Sequence, residues 1–134
     1  MNYSEFIGQV QSRGRMASEG EALKATRVTL EVLGQRLAGG EPRNLAAQLP
    51  EEIGRFLHDD DDTGERFDLD EFFRRVSERE GVDLPVSVHH ARAVISVLTE
   101  AVSRGEIDDV RAQLPEEFAP LFAAGSEGEM TGNR

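Results

Sequence analysis

Near the start of the chain apolar residues fall at Tyr3, Phe6, Ile7 and Val10, and the same i, i+3, i+4, i+7 spacing returns at Leu69, Phe72, Phe73 and Val76. This period puts four side chains on one face of an α-helix. A longer stripe follows each: Ala22, Ala25, Thr29, Val32, Leu33 and Leu37 within about 18–38, then Ala91, Val94, Ile95, Leu98 and Val102 within about 85–104. Gly14 and Gly81 are expected to end the first helix of each set, and Gly39-Gly40 and Gly105 to close the second, because glycine takes the left-handed backbone that stops a helix. A short third helix uses Leu45 and Leu49, then Val110 and Leu114. A fourth is predicted to start at Pro50 and Pro115: proline at the first helical position gives up an N–H that has no helical partner there, and the glutamates that follow complement the positive helix end. It would bury Ile53, Phe56 and Leu57, matched by Phe118, Leu121 and Phe122. Pro120 predicts a short or kinked helix in the second set. No stretch shows the pattern of a strand.

The two sets are copies of one unit. A shift of 65 residues aligns Ala25 to Leu57 with His90 to Phe122, with 11 identities in 33 columns, among them Gly40-Glu41 with Gly105-Glu106 and Gln48-Leu-Pro-Glu-Glu with its match at Gln113. The expected fold is therefore all-α, a compact helical bundle from two tandem four-helix repeats that pack through their long helices across a pseudo-twofold axis. The expected layout is a single helical domain over 1–123, with repeat one at 3–57, an acidic linker at 58–66, repeat two at 67–122 and a disordered tail at 124–134.

Four segments carry a family resemblance: Phe67-Asp-Leu-Asp-Glu-Phe-Phe, Ala91-Arg-Ala-Val-Ile-Ser-Val-Leu, Gly105-Glu-Ile-Asp-Asp-Val and Arg111-Ala-Gln-Leu-Pro-Glu-Glu-Phe. They resemble the hallmark segments of the domain-of-unknown-function family 2267, over about Tyr3 to Phe122. The resemblance implies a prokaryotic, all-helical domain without a settled catalytic activity. It supplies no functional residues to carry over.

Composition narrows the function. The chain has 134 residues, no cysteine and a formal net charge of −11. Without cysteine there are no disulfides, zinc-thiolate sites, iron–sulfur clusters or cysteine nucleophiles. The negative surface repels phosphate backbones, so nucleic acid is not an expected partner. No apolar run approaches the ~20 residues needed to span a membrane, and Met1 to Val10 lacks the features of a signal peptide, so the expected location is cytoplasmic. Lys24 is the one lysine against fourteen arginines. That balance, with excess acid, suits a halophilic cytoplasm; an arginine-biased, GC-rich genome is the rival explanation.

Candidate sites are few. The run Asp59-Asp-Asp-Asp-Thr-Gly-Glu-Arg-Phe-Asp-Leu-Asp resembles an EF-hand loop, but in one register Arg66 takes an aliphatic position and in the other Glu65 replaces the turn glycine. An acidic linker is the expected reading. His58, His89 and His90 lack metal-ligand spacing, and no Glu-x-x-His unit is present. Glu51-Glu52 and Glu116-Glu117 read as first-turn capping. The duplicated Arg27 and Arg92, with Gln48 and Gln113, are the remaining candidates: structural anchors holding each copy's short helices, or paired anchors for an anionic ligand or partner. No catalytic, metal or cofactor-binding residue is expected, and no cofactor. The expected function is a non-catalytic protein-interaction or accessory module, with a small-ligand or ion-binding sensor as the alternative, its site between the repeats. A duplicated unit offers two similar surfaces, which favours a protein partner, a second copy of the chain included.

Overall fold

The structure is a computed structural model and describes residues 1–58 and 64–123. Eight α-helices follow in order: α1 Tyr3–Gly14, α2 Glu19–Arg36, α3 Glu41–Ala46, α4 Glu51–Gly54, α5 Leu69–Glu80, α6 Leu84–Ala101, α7 Arg104–Ala112 and α8 Ala119–Phe122. Short 3₁₀ turns at Arg55–Leu57 and Glu116–Phe118 adjoin α4 and α8. There is no strand among the described residues. The fold is all-α, as the periodicity predicts. The Asp59 to Thr63 part of the expected linker, with its EF-hand reading, and the expected tail at 124–134 lie outside the described residues.

α2 and α6 form the centre. Both are buried on more than one face, with Ala25, Val28, Leu30, Val32 and Leu33 of α2 and Ala91, Val94, Ile95, Val97 and Leu98 of α6 without solvent exposure. The two helices touch, α1 lies against both of them, and α5 does the same from the other half. Each half thus buries its first helix partly on the long helix of the other, so the core is a joint product of the two. Arg13 of α1 reinforces the crossing by donating to Ser96 Oγ at 2.6 Å and to Glu100 of α6 at 2.7 Å. The short elements stay nearer home: the turn Arg55–Leu57 packs on α2 and α8 on α6, while α3 meets α7 across the halves.

Helix ends depart from expectation in four places. α1 remains helical through Gly14, and its left-handed stop is Arg15, at φ 51°, which bonds back to Gln11 and Ser12 carbonyls. Gly81, at φ 75°, closes α5 as expected, but Gly39-Gly40 do not close α2, which ends at Arg36 with Leu37 extended, and Gly39, at φ 65°, turns the chain afterwards. Gly105 closes nothing: α6 ends at Val102 in an extended conformation, and Gly105 lies in the first turn of α7. Pro50 and Pro115 sit one position before the helical turns, with ψ of 143° and 158°, so each ends the preceding extended step and the turn begins at the glutamate. Pro120 lies in the first turn of α8, which is short, as expected of the second set, and not kinked. The first half breaks into α-helix and 3₁₀ turn without any proline there, so proline is not the shared cause of the shortness.

Gly34 shows why the halves are not interchangeable. A Cβ on it would stand 2.5 Å from the Leu57 carbonyl oxygen, so the turn after α4 can close on α2 only over a glycine. The position 65 residues on is Thr99.

Candidate functional site

Four helices open with the same device: a cap residue whose side chain accepts from the backbone N–H of a glutamate three residues on. The pairs are Asn2 with Glu5, Ser18 with Glu21, Asp68 with Glu71 and Ser103 with Glu106. In a complete capping box the glutamate reaches back to the cap's own N–H. Glu5 does so at 2.9 Å. Glu21 accepts from Ala17 N–H at 3.1 Å, and Glu71 pairs with Arg74 and Arg75. Glu106 is displaced from its cap. The Ser103 N–H donates instead to Gln48 Oε1, at 2.7 Å, from the other half of the molecule.

The same exchange runs in the opposite direction. Gln113 Oε1 accepts from Ala38 N–H at 2.8 Å, and its amide donates to the Ala38 carbonyl at 3.2 Å. Ala38 and Ser103 are 65 residues apart, as are Gln48 and Gln113. The duplicated glutamines therefore bind the connections that follow each other's long helices, Gln48 at Ser103 before α7 and Gln113 at Ala38 before α3, as a crossed clasp between the halves.

With its cap taken, Glu106 turns inward. It is 8% exposed, and among the described residues its buried Oε2 receives no hydrogen bond. Its neighbours are Glu41, the residue 65 positions earlier, and Asp109, one turn on in α7; a carboxylate oxygen from each of the three lies within 4.8 Å of the others. Glu41 also has a buried oxygen, Oε2, without a hydrogen bond among the described residues. Burial, with the Glu41 carboxylate in hydrogen-bonding reach and the Asp109 charge beyond it, pushes the Glu106 carboxyl up to about 7. Among the described residues the charged groups acting on it are both acidic.

The other candidates fall elsewhere. Arg27 pairs with Glu31 at 3.5 Å along α2, on the surface, and Arg92 lies half-buried on α6. Neither is near the clasp in sequence, and of the arginines that line a groove among the described residues, Arg36 is the buried one. It is 7% exposed, donates through Nε to the Phe67 carbonyl at 2.9 Å and stacks over Phe118 at 5.4 Å. Burial, then the charge of Arg66, lowers its pKa. Arg36, Arg66 and Gln113 line a half-open groove of about 500 Å³. His89 bonds the Gly14 carbonyl at 3.0 Å. His90 is buried, its Nδ1 hydrogen-bonded to the buried Glu80 of α5 and its Nε2 3.6 Å from Glu21 of α2.

Glu41, Glu106, Glu80 and Arg36 were not among the residues singled out from sequence. For the first two a signal existed, since Gly-Glu recurs at the repeat offset, but glutamate in a first turn reads as capping until the cap is seen occupied by another side chain.

Among the described residues no helix is long and apolar enough to cross a membrane. No curated protein matches the chain. The sequence model of one family matches residues 3–121, nearly the whole length and all eight helices but the last residue of α8, and the chain therefore belongs to that family, described as uncharacterized conserved protein (DUF2267).

Proposed function

We propose that this domain is a non-catalytic, cation-responsive module of a high-salt cytoplasm, with its site where the two halves meet. The observation that supports this is the convergence of Glu41, Glu106 and Asp109, with Glu106 buried and its Oε2 without a hydrogen bond among the described residues. A carboxylate held out of water without a counter-group is costly. A cation placed there removes that cost and ties α3 to α7, so its arrival stiffens the contact through which the halves are clasped. The test is thermal melting of the full chain at molar KCl against a panel of inorganic and organic cations, each with a chelated or cation-free control. A saturable rise in melting temperature for one class of cation is expected; a flat response across the panel overturns the reading.

A protein-interaction module is the second reading. It is favoured by Leu84 and Val86, 48% and 41% exposed at the start of α6, where the first half has Glu19 and Glu21. Affinity capture at native salt with Leu84→Ser/Val86→Ser as control tests it: a partner recovered by the wild type and lost by the variant supports a docking role for that edge.

A further inference from the structure

The three carboxylates have a chemistry that narrows the cation, and this step rests on the cation-responsive reading above. We infer that Glu41, Glu106 and Asp109 form a binding site for a hard divalent metal ion, of the calcium, manganese or magnesium class, that bridges α3 and α7.

The donor set is all oxygen. Zinc and copper sites draw on imidazole or thiolate, and neither is among the clustered groups. Hard divalent ions take carboxylate oxygens, at about 2.3–2.6 Å for calcium and about 2.0–2.1 Å for magnesium. Two ligands on opposite sides of one ion are separated by at most twice the bond length, roughly 4.6–5.2 Å for calcium and roughly 4.2 Å for magnesium. The oxygens here lie within 4.8 Å of one another. Calcium fits that spread as it stands; magnesium needs the carboxylates drawn slightly together. Glu41 is half-buried, Glu106 buried and Asp109 exposed, so the site has a closed floor and an open side. The open side gives the ion its entry path and leaves room for the waters that complete its shell.

Capping does not account for the cluster. A helix N-terminus carries roughly half a positive charge, enough to offset part of one carboxylate but not three. The specific donors that would hold Glu106 are also in use: its own N–H goes to Ser103 Oγ at 3.2 Å and the Ser103 N–H to Gln48. The first half has no matching cap: α3 begins at Glu41 itself after Gly40, which makes no side-chain cap bond, and the Ala38 N–H goes to Gln113. Gln48 thus takes the N–H that a capping glutamate would hold, and Glu106 lies with Glu41 instead. Asn44 occupies the position equivalent to Asp109, so the site has one acidic arm from the first half and two from the second.

The test uses the full chain, stripped with chelator, in KCl. Titration calorimetry with CaCl₂, MgCl₂ and MnCl₂ in turn should give saturable binding of one ion per chain by at least one of them. Glu106→Gln and Asp109→Asn, each shown folded by circular dichroism, should weaken it by about tenfold or more, the scale of losing a ligand or its support. Substituting Asp59, Asp60, Asp61 and Asp62 by asparagine should leave it unchanged. Binding that survives Glu106→Gln and disappears with the asparagine run would place the metal in that acidic run and overturn the inference. Absence of binding by all three metals, with a melting-temperature rise from spermidine that Glu106→Gln abolishes, would overturn the metal and keep the cation-responsive reading. No response to metal or polyamine would overturn both.

Discussion

Glu80 and Glu106 are both buried glutamates, 4% and 8% exposed, yet one meets a hydrogen-bonding imidazole and the other meets further carboxylates. Glu80, at the end of α5, meets the imidazole of His90 on α6, which Glu21 of α2 approaches from the other side. Glu106 meets Glu41 and Asp109. In the first case the chain brings its own donor to the carboxylate, and three helices are joined by the result. In the second it brings more acid. The difference teaches that a buried carboxylate here meets either a donor from the chain itself or further carboxylates, and on the proposed reading the second set is the one a cation would complete.

Three substitutions break or sharpen this contrast. The largest effect is expected at the His90–Glu80 pair, where His90 holds one carboxylate oxygen of Glu80 and the other is buried without a hydrogen bond among the described residues. His90→Ala leaves Glu80 buried without its partner, and denaturant unfolding should show a loss of roughly 3–5 kcal/mol, as for other broken buried pairs. A loss below about 1 kcal/mol would mean that Glu80 reaches water in the native state.

At the incomplete set the sign reverses. In metal-free buffer at pH 8, Glu106→Gln should raise the melting temperature by about 4 °C, the scale of 1 kcal/mol in a domain of this size. The pH dependence carries the same message. Glu106 is raised from 4.5 to about 7 in the folded protein, so between those values the native state holds a proton that the unfolded chain releases. Its contribution is full below about 4.5 and is lost as pH rises through about 7. The wild type minus Glu106→Gln difference in stability should therefore fall across that interval. A difference independent of pH would show that Glu106 is not held in its acid form.

The smallest effect belongs to the clasp. Gln48→Ala removes one hydrogen bond, about 1 kcal/mol, and frees the Ser103 N–H for Glu106 to recapture. The informative readout is the pH slope, which should flatten toward that of Glu106→Gln. An unchanged slope would disconnect the clasp from the carboxylates.

Much of the fold was legible because burial on a helix has a period. The stripes Phe6-Ile7-Val10 and Phe72-Phe73-Val76 are buried as their spacing predicts, and α2 and α6 are the long helices. The ends were less legible. Arg15 stops α1 although Gly14 stands beside it, and Gly105 enters α7 although it follows a helix, because a stop depends on which carbonyls and N–H groups remain to be satisfied and not on glycine alone. His90 read as a surface or partly buried histidine, since its carboxylates come from α5 and α2 and have no helical spacing to it.

What the sequence determined by itself is the set of helices, their apolar faces, the duplication at an offset of 65 and the family, since all of these are local patterns or recur along the chain. Only the tertiary structure decided which half each polar group serves. Gln48 and Gln113 read as anchors within their own copies or for a ligand, and instead they bond the backbone of Ser103 and Ala38, in the segments that follow the opposite long helices. Glu41 and Glu106 stand in the sequence only as the repeated Gly-Glu, and the fold makes them one acidic cluster with Asp109. The physical reason is that hydrogen bonds and charge act over a few ångströms of space, and across 65 residues of chain that proximity exists only once α3 and α7 have met.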